Sequence, residues 1–521
     1  MKLTYGVKDR PTAGKVVLFA IQQLLAILAA TIAVPAIIGN GMSQSAALFG
    51  AGAGTIIYLL FTKFKSPVFL GSSFAFISSM FAAFAGAGSF AALGYLGLIL
   101  GAVFAGLVYV VIAFIVKLAG VKWINKLMPA VVIGPTVAII GLSLAGNAVG
   151  DLQTANYVKT YNTEDYAIVE VAENVKYDGE AGTFTYNVSE NGDMSQIVVL
   201  EKDADVSAPV PADKIHSEIT ASKNEDGTYT LTQVTGSKYI ALICGLITLA
   251  VTILVSVYSK KTLKTIPFII GILAGYATAA CFTLIGSLTG NDALMIIDFS
   301  KFSNMQWLPD FAFLKAFSGE GIGNLNGAFI GTVAVAYIPV AFVVFAEHIA
   351  DHKNISSILS NENEKVDLLE DPGLSRTLLG DGVGSMVGAF FGGCPNTTYG
   401  ESIGCVAISG NASIVTILCT AILAMAASFV APFVTFLSTI PSCVMGGVCI
   451  ALYGFIAVSG LKMVQKVDLD DNRNLFVVSV ILITGIGGLA VSFGKITITS
   501  IACALILGIL TNLMLSRKKE N

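Results

Sequence analysis

Two carboxylates stand where a carboxylate is hard to explain. Glu347 closes the run VAFVVFAEHIADH with seven apolar residues directly before it, and Glu401 follows a glycine in CPNTTYGESIGCVAIS. Ionisable side chains at membrane depth are expensive, and they usually mark a route for an ion or a substrate. Two carboxylates facing one dry cavity cannot both stay charged cheaply. One of them can therefore take up and release a proton, and each can accept a hydrogen bond from the N–H of a neutral ligand. His348 and His352 are spaced i, i+4 beside Glu347 and Asp351, which imitates half of a metal site. The pattern is not HExxH, and the third histidine, His216, lies in a distant polar segment, so no metal is expected. A proton relay through Asp351 or His352, one turn beyond Glu347, suits these residues better. Asp381 is another costly carboxylate inside an apolar run; its role is left open, bonding to broken backbone nearby being the simplest.

Composition says what must hold these groups. The chain of 521 residues is 55% hydrophobic and only 12% charged, with a formal charge of -4 and a mean hydropathy of +0.79. No soluble core could cover that much apolar surface, so lipid must be the outer solvent of most of the chain. The charge balance excludes the basic character that nucleic-acid binding asks for. All eight cysteines lie in apolar segments without a CxxC pair, and they read as small hydrophobes between helices. The charged stretch MKLTYGVKDRPTAGK precedes an apolar run too long for a signal peptide and reads as a cytoplasmic tail.

One stretch departs from this background. From Asp151 to Lys238 the chain carries 16 acidic and 6 basic residues, a net of -10 against +6 for the remainder. YAIVEVAENV, TFTYNVSE, SQIVVLE and TYTLTQVT alternate with period two between DG, NG or Gly turns, which predicts β-hairpins in a small soluble module. The remaining length accommodates about 14 spans at roughly 20 residues each plus short loops. Among the apolar windows, the eleventh is Ile414 to Leu437, the thirteenth Phe476 to Phe493 and the fourteenth Ile496 to Leu515. With the N-terminus inside, 21 of the 30 Lys and Arg fall in inner loops and tails, Lys122, Lys126 and Lys264 among them. Outer loops other than the insert hold only Lys301, Lys315 and Lys495. Both termini are then cytoplasmic and the acidic insert extracellular.

The third and tenth spans are unusually short or polar, which points to an inverted repeat of seven plus seven spans whose broken helices form the site. SPVFLGSSFAFISSM and CPNTTYGESIGCVAIS each place a proline, an extended stretch, a glycine (Gly71, Gly400) and a short apolar helix in that order. Two short strands meeting there would satisfy each other's backbone and feed half-helices whose N-termini face a central cavity.

At these residues the chain resembles a known family. PNTTYGESIG at 395–404, AEH at 346–348, GSSFAFIS at 71–78, QQLLAILAATIAVP in the first span and VMGGVCIALYG in the twelfth are similar to the uracil permeases of the nucleobase/ascorbate transporter (nucleobase:cation symporter-2) family. The resemblance implies a core domain of spans 1 to 4 and 8 to 11, a gate domain of spans 5 to 7 and 12 to 14, and proton-coupled uptake by alternating access. It further implies that Glu347 binds the base and is linked to protonation, with Glu401 holding the base from the opposite side. The N–H groups of Phe74 and Gly400, on the two strands, would donate to carbonyl oxygens, while Ala30, Tyr399 and Tyr453 line the ring. Uracil has two N–H donors and two carbonyl acceptors, which this set matches. Purine-transporting relatives tend to carry Gln-Asn where this chain has Glu401-Ser402. The family's uracil permeases often have His four residues after the span-eight Glu, where Asp351 stands here, with His352 one step on.

The expectation is an all-α polytopic membrane protein of 14 spans, with short antiparallel strands in spans 3 and 10 and a small β-rich extracellular insert. Its divisions are 1–148 (spans 1 to 5), 149–238 (insert), 239–290 (spans 6 and 7), 325–437 (spans 8 to 11), 438–516 (spans 12 to 14) and 517–521 (tail). The implied partners are uracil, protons and the bilayer of a bacterial plasma membrane, with no cofactor and no nucleic acid, and with a homodimer left open. A purine or xanthine permease of the same fold is the nearest alternative.

Overall fold

The structure is a computed structural model that describes residues 3–120, 129–155, 157–178, 183–188, 196–204, 210–211, 214–223, 228–360, 365–493 and 496–516. Lys122, Lys126 and Lys495, several turns of the insert and the tail at 517–521 lie outside the described residues.

The chain divides into two compact units. The first takes residues 1–152, 244–277 and 299–521. It opens with α1 (Ala13–Ile38), α2 (Gln44–Phe61), strand β1 (Leu70–Ser72), one 3-10 turn at Phe74–Phe76, α3 (Ile77–Ala87), α4 (Ala91–Ala119), α5 (Ala130–Ser143) and α6 (Ala145–Leu152). Because α6 runs to Leu152, Asp151 belongs to a helix, and the polar module starts at Gln153.

The second unit spans 153–243 and 278–298. It holds β2 (Val158–Tyr161), β3 (Tyr166–Asp178), β4 (Thr183–Val188), β5 (Gln196–Glu201), β6 (Val210–Pro211), β7 (Thr220–Lys223) and β8 (Tyr229–Val234). These form antiparallel sheets ordered β2-β8-β7 and β5-β3-β4-β6. The alternation of SQIVVLE is used on both faces of β5. Val198 and Leu200 enter one small core, and Val199 enters another with Ile219 and Leu231. The stretch at 278–298 is fastened within this unit by Ser237 N–H donating to the Ala293 carbonyl (2.8 Å) and by an exposed Lys159–Asp292 ion pair.

Two helices cross between the units' residue ranges, α7 (Lys238–Tyr258) and α8 (Pro267–Thr289). The first unit then continues with α9 (Gly327–Leu359), α10 (Leu374–Gly392), β9 (Asn396–Thr398), α11 (Gly400–Ser409), α12 (Ile414–Ala427), α13 (Ala431–Ser438), α14 (Ser442–Val464), α15 (Asn472–Ile486), the hairpin β10 (Val491–Phe493) and β11 (Ile496–Ile498), and α16 (Ser500–Ser516). Eight helices among the described residues are long and apolar enough to cross a membrane. The eleventh window is not one straight helix: α12 and α13 meet at 82°, and Pro432 stands in the first turn of α13, where a helix can begin but not continue from before. The thirteenth window ends early as well. Gly487 and Gly488 stop α15 at Ile486, Gly488 with a φ of +72°, and the apolar residues beyond become the β10–β11 hairpin.

Close packing of small residues sets the centre of the first unit. A Cβ on Gly50 of α2 would lie 2.5 Å from the Gly388 carbonyl oxygen of α10, and one on Gly54 would lie 2.6 Å from that of Gly384. Such small-residue faces let helices approach without a water-driven force. The groove they leave receives Asn396, whose Nδ2 donates to the Gly50 carbonyl (2.9 Å) and so places β9.

Candidate functional site

The two expected strands pair antiparallel, with Leu70 opposite Thr398, Gly71 opposite Thr397 and Ser72 opposite Asn396. The ladder is extended by Ser73 N–H to the Pro395 carbonyl (2.9 Å) and Tyr399 N–H to the Phe69 carbonyl (3.2 Å). Three side chains hold it from outside. Thr55 of α2 donates to the Leu70 carbonyl (3.2 Å) and accepts from its N–H (2.9 Å). Ser402 Oγ accepts from Phe69 N–H (3.1 Å) and from Gln23 Nε2 of α1 (2.6 Å), and Tyr399 donates its hydroxyl to the Ser72 carbonyl (2.7 Å). Ser402 thus joins the residue before β1, the half-helix α11 and α1 at one oxygen. Ser402→Ala is expected to leave the buried Phe69 N–H without its acceptor, destabilising by about 1–3 kcal/mol. A lower unfolding temperature of the solubilised protein is the measurement.

Each strand hands directly to a helix N-terminus. Phe74 is the first residue of its 3-10 turn and Gly400 the first of α11, so their N–H groups lie just past the strands rather than on them. First residues of helices have no acceptor within the helix. Glu401, in the first turn of α11, is favourably placed for its negative charge.

A cavity of about 360 Å³ opens at this point, bounded by Glu347 and Asp351 of α9, Gly400 and Glu401 of α11, and Ala26 of α1, among others. The volume lies within the range of small-ligand pockets. A Cβ built on either Gly400 or Gly404 meets nothing within 4 Å, so the face that α11 turns to the cavity is open. Asp351 is oriented by Thr398 Oγ1, which donates to its Oδ2 (2.6 Å). Ser256, Lys264, Thr265 and Phe268, from α7, α8 and the segment between them, complete the lining. Nothing in the local sequence assigns those four to a site: Lys264 reads only as a loop charge.

The helical period separates the polar cluster of α9 into two faces. Glu347 and Asp351 share the cavity face at i, i+4, and the neighbouring pair His348 and His352, one step or about 100° round, is fully buried on the other. His348 Nδ1 lies 2.7 Å from Asp381 Oδ2, and its Nε2 lies 3.0 Å from Thr377 Oγ1. His352 donates from Nδ1 to the His348 carbonyl (2.8 Å), and its Nε2 lies 2.7 Å from the Tyr58 hydroxyl. The structure therefore brings Glu347, Asp351, Gly400 and Glu401 together and does not bring His352 to them. Asp381, whose role the sequence leaves open, pairs with an imidazole.

Ala30, Phe74, Tyr399 and Tyr453 are buried and stand off the cavity wall. The Phe74 ring meets Tyr453 edge-on at 5.8 Å, which packs the turn after β1 against α14. Ala26, one turn before Ala30, is the α1 residue on the wall.

A family model described as the permease family matches residues 14–172 and 224–493. The uracil permease of Bacillus caldolyticus is 34% identical over 522 aligned residues, covering 100% of this chain and 96% of its own length. The uracil permease of Escherichia coli (strain K12) is 31% identical, covering 97% of this chain and 92% of its own. Among solved structures, the transmembrane domain of a cyanobacterial bicarbonate transporter, BicA, shares the fold with a TM-score of 0.55 at 14% identity, over 98% of this chain and 100% of that one. With most of its length matched by the family model and full-length relatives above 30% identity, the chain belongs to the permease family that includes the uracil permeases.

Proposed function

We propose that this protein carries uracil across the plasma membrane of a bacterium together with protons. The observation that carries the reading is the convergence of Glu347, Asp351 and Glu401 on one small cavity at the N-terminus of a half-helix. A planar neutral base with two N–H donors and two carbonyl acceptors meets carboxylate acceptors on one side and free helix-start amides on the other. Glu347 and Glu401 bind the N–H edges, while the Gly400 and Phe74 amides serve the carbonyls. Ala30, Tyr399 and Tyr453 close around the ring in the substrate-bound state. Carboxylates in one confined space repel one another when both are ionised, so loading a proton on Glu347, with Asp351 one turn away, favours base binding. Turned toward Tyr58, His352 supports the helix that presents them.

Transport follows by alternating access. The fourteen spans form two inverted sevens, and the core domain (spans 1 to 4 and 8 to 11), with its crossed strands, moves against the gate domain (spans 5 to 7 and 12 to 14). Both termini face the cytoplasm and the acidic module faces outward, as the lysine and arginine bias supports. The names of the full-length relatives support uracil over a purine or xanthine. The acid-lined cavity disfavours anion exchange despite the shared fold.

Uptake of radiolabelled uracil into proteoliposomes with an imposed pH gradient tests the reading. Accumulation is expected that collapses with a protonophore and is competed by excess unlabelled uracil but not by xanthine. Uptake indifferent to the protonophore would remove proton coupling, and competition by xanthine alone would reassign the substrate.

A further inference from the structure

A second cavity, of about 900 Å³, lies beside the first, and its lining is of opposite charge. Lys353 of α9, Lys462 of α14 and Lys466 just past the end of α14 surround it, with Asp351 as its one carboxylate among the described residues. Asp351, Ala350, Ser459 and Met463 line both cavities, so the two adjoin and the larger can serve as a vestibule to the smaller. The three lysines are exposed, and among the described residues none has a carboxylate partner. Asp351 itself is engaged by Thr398.

We propose that this vestibule binds a phosphate monoester and that its occupancy blocks exchange through the substrate cavity behind it. Lysine binds phosphate as a point charge without a fixed fork, and three of them, two on helices and one just past a helix end, surround a space large enough for a nucleoside monophosphate. The lysines come from α9, which carries Glu347, and from α14 and the residues just past its end. An anion held by both ties the two walls together and stands in the path that the shared residues define. A ligand with a uracil base and a phosphate engages both cavities, so it binds more tightly than phosphate alone. The inference rests on the transport reading for its orientation, with the vestibule on the cytoplasmic side, and for one of its two readouts.

The experiment uses the full chain in phosphatidylcholine vesicles, with uracil exchange measured while uridine 5′-monophosphate, inorganic phosphate or uridine is present on the lysine side. Inhibition is expected in the order uridine monophosphate, then phosphate, with none from uridine at equal concentration, and it weakens as ionic strength rises. K353Q/K462Q/K466Q is expected to raise the half-inhibitory concentration about tenfold or more, while K353R/K462R/K466R keeps the inhibition. Should the triple variant fold poorly, K466Q alone gives a smaller shift in the same direction. Inhibition lost in phosphatidylglycerol vesicles but present in phosphatidylcholine would assign the resident phosphate to a lipid headgroup at the same site. Equal inhibition of wild type and the triple Gln variant, or none of a wild type that exchanges uracil, overturns the proposal. Direct binding of labelled uridine monophosphate to the solubilised protein, lost with the lysines, tests the site separately, so absent uracil transport would count against the transport reading alone.

Discussion

Glu347→Ala is expected to reduce uracil accumulation to background, a loss of about two orders of magnitude or more. The carboxylate lines the cavity with Asp351 one turn away on the same helix and Glu401 on α11. Leaving a buried N–H of the base without its acceptor costs about 1–3 kcal/mol, and each 1.4 kcal/mol is about a factor of ten in affinity. Removing a carboxylate that accepts from the base therefore accounts for much of the loss before coupling is considered. Glu347→Gln separates the two roles. The amide keeps the shape and an acceptor oxygen but holds no exchangeable charge. It is expected to permit exchange of labelled for unlabelled uracil across the membrane while abolishing accumulation driven by a pH gradient. Glu401→Ala is expected to weaken both activities together, because its place at the start of α11 fits it for binding. Accumulation left intact in Glu347→Ala or Glu401→Ala would overturn the site assignment.

The contrast between Glu347 and His352 shows where the reading of residues alone stops. An apolar run ending in Glu-His-x-x-Asp-His announces a costly cluster, but only the helical phase decides which members share a face. Six consecutive positions of α9, 347 to 352, serve two different surroundings, the candidate cavity at 347 and 351 and a buried network at 348 and 352. The proline and glycine punctuation was legible at the crossed strands, because Pro67, Gly71, Pro395 and Gly400 bracket segments too short to span. Equivalent punctuation was present at Pro432 and at Gly487–Gly488, inside windows apolar enough to pass as continuous helix. What no local pattern carries is long-range pairing. Gln23 meets Ser402 across 379 positions, His348 meets Asp381 across 33, and Asp351 meets Thr398 across 47. Each partner is an ordinary polar residue, and only the packing of α1, α9 and α10 around the strands makes it part of the site.

That packing leaves one position without tolerance. Gly71 lies in β1 opposite Thr397, and a Cβ there would overlap the ring of Tyr399. The ring cannot simply turn aside, because its hydroxyl donates to the Ser72 carbonyl at 2.7 Å and its backbone N–H is committed to Phe69. Nor can β1 retreat, because Thr55 grips both the N–H and the carbonyl of Leu70. Gly71→Ala must therefore either displace the ring and break its bond to Ser72 or part the strands. Overpacking of this kind costs about 1–3 kcal/mol, and here the strain falls next to Gly400 and Glu401. The expected result is loss of uracil uptake together with a lower unfolding temperature of the solubilised protein. Removing the obstructing ring tests the cause. In Gly71→Ala/Tyr399→Ala the added methyl has room, so the unfolding temperature of the double variant is expected to fall by less than the sum of the two single losses, as it must when two side chains compete for one space. Uptake stays low in the double variant, because Tyr399 is proposed to close on the bound base. Additive losses of stability, or a Gly71→Ala protein with wild-type uptake, would show that the strand crossing is not the rigid element on which the cavity is built.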